Sequence, residues 1–132
     1  EIQAGLLRVR LSHMEELTQE KIAIASRYTE GIHNSKIKLP QIPEGSTCVY
    51  HQYVIRCEER DRLIEYLNEK EIGTIIHYPI PPHLAEAYRY LGHHEGDFPI
   101  TEHLAKTVLS IPMYNGMTED EQNMVIDALN RF

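Results

Sequence analysis

The sequence is poor in the residues and segments that mark secreted and membrane proteins. It has 132 residues with no tryptophan and two cysteines, and no apolar run approaches the roughly 20 residues that a transmembrane helix needs. A secretory signal pattern is absent as well. Cys48 and Cys57 lie in or beside one predicted strand, and nine residues of strand span roughly 30 Å, which is beyond disulfide reach. We therefore expect reduced thiols in a cytoplasmic protein that does not bind membranes.

Positive charge and the common catalytic motifs are also scarce. Lysine and arginine total 13 against 20 acidic residues, which gives a net charge of −7. Nucleic acids and anionic membranes are bound by basic surfaces, so the charge balance argues against both as general partners. The sequence contains no Gly-x-Ser-x-Gly motif, no Cys-x-x-Cys motif and no glycine-rich loop opening a helix.

The eight histidines do not form a metal-binding pattern. His77 and His83 would lie roughly 18 Å apart in an extended segment, so they could not share an ion. His93 and His94 are adjacent and have no helical i, i+4 partner of the kind that metal sites use. We predict no metal site, and we interpret residues 92–97 as a hydrated loop.

Hydrophobic periodicity and turn residues predict one α+β domain of layered type. Strands are predicted at residues 49–57, 73–78 and 108–113, and residues 36–46 are predicted to be a loop because they contain two prolines and a glycine. Helices are predicted at residues 1–11, from Ser12 to about residue 31, around Leu63 to Leu67, at residues 84–91, from a cap at Thr101, and from Thr118 to the end of the chain. Capping-box spacing of Ser12 with Glu15 and of Thr118 with Glu121 supports two of these starts.

The expected core follows from the same periodicity. The first helix is expected to bury a wide apolar face, and the last helix is expected to bury Met124, Val125, Ala128 and Leu129. Tyr88 is expected to pack on the core because it follows Leu84 by one helical turn. The arginines around residues 56–62 alternate with acidic residues, which indicates a solvated ion-pair face.

A proline-rich segment at residues 77–83 is the most distinctive local feature. Tyr78, Ile80 and Pro81 each precede a proline and are therefore favoured in extended geometry. Such a segment is stiff and could present His77, Tyr78 and His83 to a ligand at little entropic cost. A rigid connector with incidental histidines fits the same pattern, and spacing alone does not decide between the two.

The first residues indicate a piece of a longer protein. The chain opens on Glu1 rather than on methionine, already inside an apolar helical pattern and without a preceding cap. Removal of a tag would leave a similar start. If the apolar face of the first helix were exposed to solvent, that would favour a cut chain, because the face would then have a missing partner domain.

Six segments, in order, resemble the C-terminal part of the DegT/DnrJ family of nucleotide-sugar aminotransferases, which depend on pyridoxal phosphate (PLP). The resemblance spans nearly the whole chain, and its departures are Gly5, where the family usually has alanine, and Ala85, where it often has glutamine. The matching segments are IQAGLLRVRL from Ile2, Ile24-Ala25 with Tyr28, HQYVIR from His51 with Arg60-Asp61, IGTIIHYPIPPH from Ile72, GDFPITE from Gly96 and LSIPM from Leu109.

The resemblance implies a fold-type I enzyme of which residues 1–132 are the small C-terminal domain, with a roughly three-stranded, mostly antiparallel sheet covered by helices. In this family, PLP forms a Schiff base with a lysine and carries the amino group of glutamate to a nucleotide-linked keto sugar, normally in a homodimer. That lysine would lie in a large domain before Glu1. The resemblance therefore implies no catalytic or cofactor-binding residues in this chain, no PLP bound to it and no activity of its own.

The resemblance also assigns a function to the proline-rich segment. In the family this segment lies near the mouth of the active site, so His77, Tyr78 and His83 become the candidate substrate-binding residues. Acceptors of the dTDP-linked 3-keto type are suggested by the form of the motif. Two alternatives stay open: a sugar dehydratase of the same family, in which histidine replaces the lysine, and a free-standing interaction domain without an active site.

Overall fold

Five α-helices and three short strands follow one another along the chain, and the computed structural model describes residues 1–132. The helices are α1 (Ile2–Leu11), α2 (Met14–Gly31), α3 (Arg60–Asn68), α4 (Pro99–Thr107) and α5 (Glu119–Arg131), and the strands are β1 (Ile37–Lys38), β2 (Tyr53–Cys57) and β3 (Val108–Ile111). Two 3₁₀ turns, Pro82–Leu84 and Glu86–Leu91, lie between α3 and α4. None of the helices combines the length and apolar character needed to span a bilayer.

The strands form one antiparallel sheet in the order β1-β2-β3. Tyr53, Ile55 and Cys57 alternate along β2 and are all buried, as expected for β-branched and aromatic residues on the inner face of a sheet. Ile37 of β1 lies opposite Cys57, and Ile111 of β3 lies opposite Tyr53. The predicted α+β domain with a three-stranded antiparallel sheet is confirmed.

The identity of one strand was predicted wrongly. Residues 73–78 form no strand; Ile75 alone pairs with Ser110, through two backbone hydrogen bonds of 2.8 and 3.1 Å. The prolines that follow lack the N–H groups that would extend this pairing. The third strand is instead β1, inside the predicted loop, where Ile37 is 6% exposed and covers the other edge of β2. Val49, expected within β2, is 61% exposed because the strand begins only at Tyr53.

The hydrophobic core lies between the sheet and helices α2, α3 and α5. Tyr28 of α2 and Tyr53 of β2 are fully buried and meet edge to face, with ring centroids 5.3 Å apart. The Tyr28 hydroxyl donates to the carbonyl of Pro112 at 2.8 Å. Burial raises the pKa of Tyr28 far above its ordinary value, so its hydroxyl stays protonated and remains a donor.

The ends of α2 and α5 cap each other through asparagine side chains. Asn130 Nδ2 donates to the carbonyl of Gly31 at 2.8 Å, and Asn130 Oδ1 accepts from the N–H of His33 at 2.7 Å. In return Asn34 Nδ2 donates to the carbonyl of Leu129 at 2.8 Å. These bonds satisfy backbone groups that a helix end leaves without an intrahelical partner.

Helix α1 forms as predicted but buries none of its residues. Its five large apolar side chains are between 65% and 84% exposed: Ile2, Leu6, Leu7, Val9 and Leu11. The expectation of a wide buried face is therefore wrong within this chain. What remains is a set of exposed large apolar side chains of the kind that usually packs against another protein surface.

Several local expectations also differ from the structure. Ser12 does not cap α2; its hydroxyl donates to the carbonyl of Val9 at 2.7 Å and so closes the end of α1. Helix α4 begins at Pro99, ahead of the cap expected at Thr101. Met124 and Tyr88 are 56% and 46% exposed because their helical faces have no covering layer. The Thr118–Glu121 capping box is present as predicted.

The ion-pair face expected around residues 56–62 is present only in part. Glu59 pairs with Lys36 and Arg62 at the surface. Arg60 pairs with Asp61 but also donates to the carbonyl of Ala105 at 2.5 Å, and its side chain is only 13% exposed. Arg60 therefore ties the start of α3 to the end of α4.

Candidate functional site

His77 stands where the pairing of Ile75 with β3 ends and the proline-rich segment begins. Its Nδ1 atom lies 2.9 Å from the hydroxyl oxygen of Ser110 on β3. The peptide bond between His77 and Tyr78 is cis. Because Ser110 is buried in β3, this hydrogen bond ties the imidazole to the sheet.

Two clefts meet at His77. The first, which we call the Ser110 cleft, has a volume of about 170 Å³ and is lined by His51, Gln52, Gly73, Ile75, His77, Ser110, Ile111, Pro112 and Met113. The second, the proline cleft, has a volume of about 350 Å³ and is lined by His77, Tyr78, Ile80, Pro81, Pro82, Thr101, Leu104, Ala105 and Val108. Neither lining contains an aspartate, glutamate, lysine or arginine side chain, so both clefts offer hydroxyl, imidazole and amide groups beside apolar side chains.

Tyr78 is the most accessible of the three candidate substrate-binding residues. It is 78% exposed, and its ring centroid lies 6.0 Å from that of His77 in an edge-to-face arrangement. The structure therefore brings His77 and Tyr78 together in the proline cleft. An exposed phenol beside an imidazole can donate and accept hydrogen bonds at the same ligand.

His83 lies in a different environment. Its Nε2 atom is 3.0 Å from Oε1 of Glu102, and the two side chains are only 7% and 9% exposed. It lines a third cleft of about 390 Å³, the histidine cleft, together with Leu84, Ala85, Arg89, His93, His94 and Glu95. The sequence-predicted trio is therefore divided: His77 and Tyr78 share one cleft, and His83 lines another.

Glu102 organises the surroundings of His83 and was not among the predicted site residues. Its two carboxylate oxygens accept the N–H groups of Gly96 and Phe98 at 2.9 to 3.2 Å in addition to His83. Burial acts to raise the pKa of Glu102, but the amides of Gly96 and Phe98 and the His83 imidazole outweigh it and lower the pKa. A carboxylate so placed stays ionised and holds the 96–98 loop against the end of the proline-rich segment.

The aromatic ring of Phe98 completes this cluster. Its centroid lies 4.7 Å from that of His83 and 5.0 Å from that of His93, while His93 Nδ1 is 3.2 Å from Oδ2 of Asp97. No group of three or more His, Cys, Asp or Glu side chains is placed to hold a metal ion. The loop at residues 92–97 is exposed, in agreement with the sequence interpretation.

Glu102 and Ser110 each had a signal in the sequence. Ser110 is a polar residue in an otherwise apolar strand, between the buried Leu109 and Ile111. Glu102 is an acid in the first turn of a helix that starts with a proline. Both signals are common in proteins, however. The histidine partner of Ser110 lies 33 residues away in the sequence, and that of Glu102 lies 19 residues away.

The five lysines do not form a PLP site with these clefts. Lys36 and Lys106 pair with Glu59 and Glu95 at the surface, and Lys70 lies over the ring of Tyr66. Lys21 donates to the backbone carbonyl of His51, and Lys38 is exposed on β1. PLP needs a lysine amine together with an acid for its ring nitrogen, and neither lines a cleft at His77. The residues present therefore do not fit the cofactor by themselves.

Comparison with known proteins identifies close relatives over the whole chain. A model of the DegT/DnrJ/EryC1/StrS aminotransferase family matches residues 1–130. The dTDP-3-amino-3,6-dideoxy-alpha-D-galactopyranose transaminase of Aneurinibacillus thermoaerophilus is 38% identical over 132 residues, which cover 100% of this chain and 36% of that protein.

Solved structures give the same result. Streptomyces venezuelae DesV, in complex with a ketimine intermediate, superposes with a TM-score of 0.94 at 35% identity, over 98% of this chain and 35% of DesV. NtdA from Bacillus subtilis, solved with bound cofactor PMP, superposes with a TM-score of 0.80 at 25% identity, over 92% of this chain and 29% of NtdA. The chain thus spans about a third of the length of the relatives it matches.

Proposed function

Because this chain belongs to the DegT/DnrJ/EryC1/StrS aminotransferase family, we propose that it is the C-terminal domain of a PLP-dependent nucleotide-sugar aminotransferase. The parent protein transfers the amino group of glutamate to a nucleotide-linked keto sugar and works as a cytoplasmic homodimer. The observation that carries the proposal is the superposition of 98% of this chain on DesV, a protein solved with a ketimine intermediate, at a TM-score of 0.94. The relative from A. thermoaerophilus makes a 3-amino sugar attached to dTDP, which supports a dTDP-linked 3-keto acceptor.

The residues of this chain indicate which steps the rest of the parent protein performs. PLP, when bound, supplies the electron sink for amino transfer, and the lysine that holds it belongs to a large domain preceding Glu1. The exposed apolar face of α1 packs against that large domain, since five large apolar side chains there are at least 65% exposed. The 132-residue chain alone is then inactive and binds no PLP.

The contribution of this chain is to bind the sugar substrate. His77 and Tyr78 hold it from the proline cleft, where an imidazole and a phenol stand with ring centroids 6.0 Å apart. His83 acts from the histidine cleft, where Glu102 binds its Nε2 atom and leaves Nδ1 for a ligand. The uncharged linings of the two clefts at His77 suit the hydroxyl and keto groups of a sugar ring.

The first experiment separates the parent from the fragment. The full-length protein, loaded with PLP, is supplied with glutamate and a dTDP-linked 3-keto-6-deoxyhexose, and the amino sugar is followed by mass spectrometry. The 132-residue chain is assayed in parallel. We expect an amino-sugar product in the assay of the full-length protein and none in the assay of the 132-residue chain. A dehydrated sugar that has gained no amino group would instead identify the dehydratase of the same family. Amino transfer by the 132-residue chain would contradict the proposal that the chain alone is inactive.

The second experiment tests the substrate-binding residues. His77→Ala and Tyr78→Phe in the full-length protein are expected to raise KM for the sugar roughly tenfold or more, because each removes a hydrogen bond to the ligand. His33→Ala is the matched control, since His33 is exposed beyond the end of α2 and lines none of the three clefts. An unchanged KM in both cleft variants would overturn the assignment.

A further inference from the structure

Ser110 is a buried polar residue whose hydroxyl has one partner in the whole structure. It is 7% exposed, in the middle of β3. Its backbone N–H and carbonyl are both used by Ile75, so the backbone position of Ser110 is fixed. The hydroxyl is left with Nδ1 of His77, at 2.9 Å.

The direction of this hydrogen bond bears on the tautomer of His77, because the roles of the two atoms depend on which ring nitrogen carries the hydrogen. A buried hydroxyl needs an acceptor for its hydrogen, and Nδ1 of His77 is the acceptor within reach. A neutral imidazole carries one hydrogen, so a ring that accepts at Nδ1 bears its hydrogen on Nε2. A Ser110 hydroxyl that donates to Nδ1 would favour this one tautomer and one ring orientation for His77.

We propose that Ser110 is a positioning residue that fixes His77 with Nε2–H as a hydrogen-bond donor towards an oxygen acceptor of the substrate, such as a keto, hydroxyl or phosphoryl oxygen. The proposal rests on the proposed function, in which His77 binds the sugar substrate. It adds the direction of the hydrogen bond between His77 and the substrate: the imidazole donates and does not accept. A substrate group that can only donate, such as an ammonium group, would be rejected at this position.

The tautomer can be measured directly on this 132-residue chain. Long-range ¹H–¹⁵N correlation spectra of the histidine side chains distinguish Nδ1–H from Nε2–H rings, and they are recorded at pH about 8.5, where an ordinary histidine is neutral. We expect the Nε2–H form at His77 in the unmodified chain and a mixture in Ser110→Ala. Ser110→Thr, which keeps the hydroxyl, should restore the single form. The resonances of His33 should be the same in all three proteins.

Two results would overturn the proposal. One is an Nδ1–H ring at His77 in the unmodified chain, which needs no variant and therefore decides the matter even if Ser110→Ala fails to fold. The other is an unchanged tautomer ratio in a folded Ser110→Ala chain.

Kinetics of the full-length protein separate this inference from the function on which it rests. Ser110→Ala should raise KM for the keto sugar about three- to tenfold, and the double variant with His77→Ala should be no worse than His77→Ala alone. If the tautomer responds to Ser110 but His77→Ala leaves KM unchanged, the substrate-binding role fails. If His77→Ala raises KM while Ser110→Ala alters neither tautomer nor KM, the positioning role fails and the function stands.

Discussion

Replacing Gly31 by alanine tests how closely α2 and α5 approach each other. A Cβ atom at Gly31 would lie 2.9 Å from Cδ1, 3.1 Å from Cγ2 and 3.4 Å from Cγ1 of Ile126. Carbon atoms in good contact are about 3.5 to 4.0 Å apart. All three distances are shorter than this range, so either Ile126 leaves its rotamer or α5 moves away from α2. Movement of α5 would also stretch the hydrogen bond from Asn130 to the carbonyl of Gly31.

The size of the effect follows from two opposing terms. Alanine favours a helix over glycine by at most about 1 kcal/mol, and by less at the last residue of a helix such as Gly31. Overpacking of a close contact costs about 1 to 3 kcal/mol. We therefore expect Gly31→Ala to lower the free energy of unfolding by roughly 1 to 2 kcal/mol, which corresponds to a fall in Tm of roughly 4 to 8 °C for a domain of this size.

The assay is urea unfolding followed by circular dichroism, on Gly31→Ala, Ile126→Ala and the double variant. The cost of Gly31→Ala should nearly vanish in the Ile126→Ala background, because the atoms in conflict are then gone. Gly5→Ala is the matched control: its Cβ would meet nothing within 4 Å, and it should not destabilise the chain. An equal cost of Gly31→Ala in both backgrounds, or no cost in either, would refute the close-contact explanation.

Three further substitutions probe the core, a helix cap and a buried carboxylate. Tyr28→Phe leaves the carbonyl of Pro112 without its 2.8 Å partner and should cost about 1 to 2 kcal/mol in urea unfolding; an unchanged midpoint would mean that water replaces the hydroxyl. Thr118→Ala removes the capping box of α5 and should cost about 1 kcal/mol, whereas Thr118→Ser should cost little. Glu102 has a lowered pKa, so its carboxylate stabilises the fold above the unfolded pKa and loses this effect as the pH falls through the lowered folded value. In Glu102→Gln the free energy of unfolding should therefore fall less steeply below about pH 5. A fall as steep as that of the unmodified chain would contradict this.

The sequence was most informative where the determining contacts are local. The Thr118–Glu121 box spans three residues and forms as predicted. The same spacing at Ser12 failed because the hydroxyl of Ser12 is taken by the carbonyl of Val9, three residues earlier. Two helices in close succession offer such a serine two competing partners, and spacing alone does not decide between them.

Strand pairing and site geometry depended on contacts that one sequence does not encode locally. β1 is two residues long and is defined by its partner, Cys57, rather than by its own composition. His77 and His83 were selected from their stiff segment and from a family resemblance, while the groups that orient them, Ser110 and Glu102, come from elements 33 and 19 residues away. Whether His77, Tyr78 and His83 bind the sugar stays a prediction.

The reciprocal asparagine caps bear on the order in which the domain forms during synthesis. The two bonds that complete the end of α2 come from Asn130, which lies 97 and 99 positions after the residues it contacts. Most of the stability of a helix within a protein comes from tertiary packing, and contacts of such long sequence separation form slowly. The end of α2 is therefore synthesised well before Asn130, the residue that completes its hydrogen bonds.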